Sequence, residues 1–199
     1  MTRLDATRRL MARLTTEPVI ASLGHPAYDL FIARDRPENF YTWGSMGLAS
    51  SIGLGLAMAQ PARRVFVLDG DGSLLMNLGS LATIAAQSPG NLVVLVWDNE
   101  KYGTTGGQAT WTARRCDLAG VARAAGIPQV ALVKNETELA SSLDACLTGP
   151  GPWVIVVKVE ESRPERKPPL DPVFIKHRFM TAIGCPEPGT LGDRAPDAT

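Results

Sequence analysis

The sequence predicts an α/β fold: a three-layer sandwich with a mainly parallel sheet flanked by helices on both faces. Short apolar runs, partly or wholly β-branched and of strand length, recur along the chain. Segments with helical spacing of apolar residues lie between them. The strand-like runs are apolar at nearly every position, which suits strands buried on both faces, and alternating strands and helices imply a parallel sheet covered on both sides.

The first helix is read from Leu4, Leu10, Met11 and Leu14, with Arg8, Arg9 and Arg13 between them, an amphipathic opening segment that caps an edge or face of the sheet. Val19-Ile20-Ala21-Ser22-Leu23, closed by Gly24, reads as the first strand, and Leu48 to Gln60 as a helix. Val65-Phe66-Val67-Leu68 is the next strand and Leu74 to Ala86 the helix after it. Leu92 to Trp97 is the most apolar strand, and helices over Leu118 to Ala125 and Glu136 to Leu147 precede a last strand, Trp153 to Val159. Beyond it Pro164, Pro168, Pro169 and Pro172 interrupt regular structure before a final helix over Val173 to Ile183. One domain over 1–183 is expected, followed by a disordered tail over 184–199 rich in Pro, Gly and Asp.

With 199 residues and 21.3 kDa the chain can fill one core but not two ordinary ones. Lys and Arg number 20, as do Asp and Glu, so no global field draws in nucleic acid or an anionic membrane. Cys116, Cys146 and Cys185 are widely spaced and form no Cys-x-x-Cys pair, which argues against a disulfide framework or a zinc site and for a reducing cytosol. No segment is apolar for long enough to predict a membrane span.

The chemistry concentrates in Val65-Phe66-Val67-Leu68-Asp69-Gly70-Asp71-Gly72-Ser73, where an apolar strand runs into a carboxylate flanked by glycines and then into a helix. Glycines let backbone N–H groups approach a phosphate, the helix N-terminus adds positive potential, and Ser73 can donate a hydrogen bond. Asp71 stands where a hard cation would bridge to that phosphate. An Asp-Gly pair also signals a hairpin, but a hairpin needs a strand on both sides and Leu74 to Ala86 has helical periodicity. Asp98-Asn99-Glu100-Lys101 follows the next strand; Asn99, by itself a common turn residue, would complete with a backbone carbonyl an oxygen-only shell of the kind magnesium demands. Both clusters end adjacent strands, where open α/β sheets bind ligands. Gly53-Leu54-Gly55 lacks the third glycine and the preceding strand of a dinucleotide fingerprint.

Gly70-Asp71-Gly72 followed by Asn99 resembles the thiamine diphosphate signature of the pyruvate decarboxylase and acetohydroxyacid synthase superfamily. The segments Gly44 to Gly55 and Tyr102 to Gln108 are similar to the sulfopyruvate and phosphonopyruvate decarboxylases of that group. The resemblance implies magnesium ligands at Asp71, the Asn99 side chain and the Lys101 carbonyl, with Gly70, Gly72 and Ser73 at the diphosphate and Tyr102, Gly103 and Thr104 close by. It places Gly44, with Ser45 beside it, at the aminopyrimidine, and Met46 between the two rings, a position at which a methionine is otherwise plain core filling. Gly24 and His25 would lie near the diphosphate or the substrate. Relatives commonly carry Asn where Asp98 stands and Gly where Glu100 stands, so both carboxylates are expected to point away from the cofactor.

The resemblance further implies a hetero-oligomer: a partner α subunit binds the pyrimidine and supplies the glutamate that the chemistry requires. The substrate would be a 2-oxo acid, sulfopyruvate or phosphonopyruvate, its β-anion met by Lys101, Arg114, Arg115 or His25. A carboligase of the acetolactate type, a non-catalytic cofactor-binding subunit and a domain for another phosphate compound are the alternatives.

Overall fold

The computed structural model describes residues 1–185, so the tail expected over 184–199 lies, from 186 on, outside the described residues. Six strands form one parallel sheet in the order β2 (Asn39–Tyr41), β1 (Val19–Ala21), β3 (Val65–Gly70), β4 (Leu92–Asp98), β8 (Trp153–Lys158), β7 (Gln129–Val133). The central pair β3 and β4 is buried at every position but the last of β3, because helices cover both faces. A separate two-stranded hairpin, β5 (Lys101–Tyr102) and β6 (Gln108–Ala109), stands over the carboxyl end of the sheet.

One face carries α1 (Arg3–Met11), α2 (His25–Arg34) and α7 (Glu136–Thr148); Leu10, Leu30, Leu139 and Leu143 pack there against Phe66, Leu68, Val93 and Leu95. The other carries α3 (Ala49–Ala59), α5 (Gly79–Gln87), α6 (Leu118–Ala124) and α8 (Pro172–Ala182), whose Leu54, Leu81, Ile84, Leu118 and Phe179 meet Val65, Val67, Val94 and Val96. The even-odd alternation along β3 and β4 therefore sends successive apolar side chains into two cores. Buried Arg3 on α1 donates to Asp29 of α2 at 2.6 Å, fastening the opening helix to the sheet's flank.

The structure departs from the sequence reading in four places. The helix expected over Leu74 to Ala86 is two: α4 (Asp71–Leu75) ends in tight turns, Met76 N–H to Ser73 and Asn77 N–H to Leu74, before α5 begins at Gly79. The first strand stops at Ala21; Ser22 still donates to Leu68, and Gly24 at φ +78° then turns the chain into α2. α2 itself was not expected. The edge strands β2 and β7 also escape the pattern, since β7 is half-exposed over most of its length and lacks a solid apolar run.

Candidate functional site

Successive parallel strands leave β1 in opposite directions, to β2 on one side and β3 on the other, so the β1/β3 boundary is a topological switch point with a crevice at its carboxyl end. That crevice is a cleft lined by Ser22, Leu23, His25 and Pro26 after β1, Gly70 to Ser73 after β3, Trp97 and Asn99 at the end of β4, and Lys101 to Thr105 of the hairpin. Arg3 and Met46 complete the wall. The register sets the level of the key groups: Gly70 pairs with Trp97, so the next residues, Asp71 and Asp98, lie side by side, with Asn99 one step beyond.

One terminal atom of the Asn99 amide lies 3.0 Å from the Lys101 carbonyl oxygen and 3.2 Å from Asp71 Oδ1. If that atom is nitrogen, it donates two hydrogen bonds; if oxygen, it meets two other acceptors, which is favourable only beside a cation. Ligands about 2.1 Å from an octahedral magnesium stand about 3.0 Å apart along each edge, whereas calcium at about 2.4 Å would spread them to about 3.4 Å. The 3.0 Å separation matches the first figure and the 3.2 Å separation falls midway between the two. The trio contains a single carboxylate, and no cluster of three or more His, Cys, Asp or Glu side chains occurs among the described residues.

The glycines are fixed by what surrounds them. A Cβ on Gly72 would lie 2.5 Å from a Tyr102 ring carbon, and one on Gly103 would lie 2.7 Å from His25 Nδ1, so the hairpin sits directly on the loop after β3. The N–H groups of the first turn of α4 have no acceptor within the helix, and Gly70 before them provides no side-chain cap. Ser73 spends its hydroxyl inside the fold, 3.0 Å from Ser22 Oγ and accepting from Gly47 N–H at 2.9 Å, so its contribution to an anion would be its backbone N–H. Burial pushes the Asp71 carboxyl up to about 6, with Asp98 adding to the rise; Asp69, fully buried behind it, is also pushed up to about 6 by desolvation. Burial, with Arg3 nearby, holds His25 below the ordinary histidine range. The cleft thus offers an oxygen trio for a cation beside free backbone donors for an anion, a pairing suited to a metal-bridged diphosphate.

Residues 25–157 match the family model described as "Thiamine pyrophosphate enzyme, C-terminal TPP binding domain". The chain belongs to the thiamine pyrophosphate enzymes. The sulfopyruvate decarboxylase subunit beta of Methanothermobacter thermautotrophicus is 56% identical over 62% of this chain and 66% of its own length. That of Methanococcus maripaludis is 43% identical over 92% and 98%. The phosphonopyruvate decarboxylase of Streptomyces viridochromogenes is 38% identical over 95% of this chain but only 48% of its own length, so the chain spans about half of that protein. The crystal structure of benzoylformate decarboxylase from Polynucleobacter necessarius superimposes with a TM-score of 0.66 at 21% identity, covering 82% of this chain and 34% of that one; at that identity it shows the fold.

The thiamine pyrophosphate-binding domain brings most of its expected residues into one cleft: His25, Met46, Gly70, Asp71, Gly72, Ser73, Asn99, Lys101, Tyr102, Gly103 and Thr104 all line it. Gly44 and Ser45 stand exposed on the rim beyond Met46, and Gly24 lies behind the wall, backed by Thr104. Arg114 and Arg115 do not line the cleft; they are exposed beside a groove with Lys134 on the far side of Asp98. Asp98 and Glu100 both turn away from the cleft, toward Lys158. Sequence reasoning missed Arg3, Ser22 and Trp97 in the wall, and it missed Thr110 and Thr112, whose hydroxyls reach Asp71. Only the threonine-rich turn after the hairpin could have pointed to the last two.

Proposed function

We propose that this chain is the diphosphate- and magnesium-binding subunit of a two-subunit thiamine diphosphate-dependent decarboxylase acting on a 2-oxo acid that carries a β-anion, of the sulfopyruvate or phosphonopyruvate kind. The observation that carries the reading is the meeting of Asp71 Oδ1, the Asn99 amide and the Lys101 carbonyl beside the uncapped first turn of α4. When bound, the cofactor supplies a nucleophilic carbon and an electron sink for the pair released with carbon dioxide.

In this reading Asp71, Asn99 and Lys101 hold the magnesium, and the backbone of Gly70, Gly72 and Ser73 meets the diphosphate. Tyr102, Gly103 and Thr104 close over it from the hairpin, and Gly24 lets the first loop come near. The Gly44 carbonyl, with Ser45 beside it, and Met46 would hold the aminopyrimidine end of the cofactor. In its neutral form His25 can accept one hydrogen bond and donate another. The cations of the wall are Arg3 and Lys101, with Arg3 held by Asp29 and Lys101 3.4 Å from Glu161.

No glutamate lines the cleft among the described residues; in this reading a partner subunit carrying a pyrimidine-binding domain supplies the one that protonates the pyrimidine. Leu48 (43% exposed), Ile52 (37%) and Met76 (61%) lie beside the rim and offer that partner an apolar seat. The curated relatives of matching length are themselves called β subunits, which supports the same division.

The test is an assay of the two-subunit complex, loaded with cofactor and magnesium, against sulfopyruvate, phosphonopyruvate and pyruvate. Carbon dioxide and the corresponding aldehyde from a β-anionic acid are expected. Hydroxyketone as the main product would move the chain to the carboligases, and cofactor uptake without turnover of any 2-oxo acid would leave a binding subunit only.

A further inference from the structure

Behind the cleft runs a buried chain of polar groups that the function above does not use. Thr110 Oγ1 donates to Asp71 Oδ2 at 2.5 Å. Thr112 Oγ1 donates to Asp98 Oδ1 at 2.8 Å and also lies 3.1 Å from Asp71 Oδ2 and 2.8 Å from Thr110 Oγ1. The Lys158 ammonium, on the register partner of Asp98, completes the series at 2.8 Å from Asp98 Oδ2 and 2.7 Å from Glu100 Oε1. Two hydroxyl protons thus serve two carboxylates, and one cation lies against two anions.

We infer that Thr110, Thr112, Asp98 and Lys158 are positioning residues that clamp Asp71 by Oδ2 and leave Oδ1 facing the metal trio. The inference rests on the magnesium reading given above. Carboxylates rotate freely about the Cβ–Cγ bond, and an unclamped Asp71 would present either oxygen, or both, to the cation. Lys158 acts by two routes. It holds the carboxylate of Asp98, which aligns Thr112, and it holds Glu100, whose backbone carbonyl accepts from Thr110 N–H at 3.0 Å. Glu100 adopts φ +62°, a left-handed conformation that side-chain-bearing residues rarely take, and its carboxylate pairs with Lys158. The two acidic residues beside the metal site are therefore a support for it, with their charge directed to an ammonium on β8. Partners of this kind that orient a ligand commonly change metal affinity about ten- to a hundredfold when removed.

The measurement is the magnesium concentration that half-saturates thiamine diphosphate uptake by the assembled complex, followed by calorimetry, with the thermal midpoint of the metal-free complex as a check on folding. Thr110→Val should raise that concentration about tenfold or more, and Thr110→Ser, which keeps the hydroxyl, should return it close to the parent value. Lys158→Met should raise it as well, and Asp98→Asn combined with Lys158→Met should recover most of the loss, because the uncompensated carboxylate is gone while an oxygen remains for Thr112. If Thr110→Val fails to assemble, the Lys158 single and double variants carry the test. A parent complex that takes up no cofactor at any magnesium concentration defeats the functional reading itself. A parent that binds it, with Lys158→Met unchanged or no recovery in the double variant, defeats the positioning role alone.

Discussion

Replacing Arg3 with Met should destabilise the protein by about 3–5 kcal/mol, because it leaves a buried carboxylate without its cation. The pair is fully inside: the Arg3 and Asp29 side chains keep 3% and 0% of their exposure, and the guanidinium donates to Asp29 Oδ2 at 2.6 Å. Asp29 Oδ1 already lacks a partner, and burial holds this carboxyl above the ordinary range even with Arg3 beside it. For a chain of this size about 2–4 °C of melting temperature accompanies each kcal/mol, so a fall of roughly 6–20 °C is expected at neutral pH. In the variant the folded state must take up a proton at Asp29 that the unfolded state lacks. The deficit should therefore shrink as pH falls toward the ordinary carboxylate range and grow as pH rises. Asp29→Leu combined with Arg3→Met removes both charges and should recover most of the loss. Thermal unfolding of parent, single and double variants at pH 5 and pH 8 measures all three effects. A single variant within about 1 kcal/mol of the parent, the range of an exposed pair, or a double variant no better than the single, refutes the argument.

Gly53→Ala should lower the melting temperature by a few degrees, since the new Cβ would lie 2.2 Å from Val67 Cγ2 and overpacking of about 1–3 kcal/mol exceeds a gain in helix propensity of about 1 kcal/mol. Gly55→Ala on the same helix, with nothing within 4 Å, should instead stabilise by up to about 1 kcal/mol; equal effects at the two sites would contradict the packing. Gly72→Ala drives a methyl into the Tyr102 ring and should weaken cofactor uptake about tenfold or more, the equivalent of about 1.4 kcal/mol, as calorimetry on the complex will read. His25, whose folded value lies below its ordinary 6.5, binds fewer protons folded than unfolded, so the cofactor-free parent should lose stability relative to its His25→Gln variant as pH falls below 6.5, as melting curves of the two between pH 5 and 7 will read.

The central strands were legible because burial on both faces leaves them apolar at every position, as in Leu92 to Trp97. The edge strands were not, since β7 is half open to solvent and its sequence lacks that signal. Leu74 to Ala86 has one helical period throughout, yet the chain breaks at Met76 to Leu78 because Asn77 donates to the Gly47 carbonyl, a tertiary contact no local pattern encodes. Asp71 and Asn99 could be brought together on sequence because each follows one of the two most apolar strands, β3 and β4, which the structure pairs side by side. Thr110, Thr112 and Lys158 were harder to read for the opposite reason: threonine and lysine are common, and it takes the turn after the hairpin to bring the two threonines to Asp71 and the β4–β8 register to bring Lys158 to Asp98.

The most direct measurement is calorimetric titration of thiamine diphosphate into the complex of this chain with its partner subunit, with and without magnesium, beside the same complex carrying Asp71→Ala. Saturable uptake that requires magnesium and disappears in the variant is the predicted result. Uptake that ignores both the metal and Asp71 would contradict the account, as would no uptake by the parent.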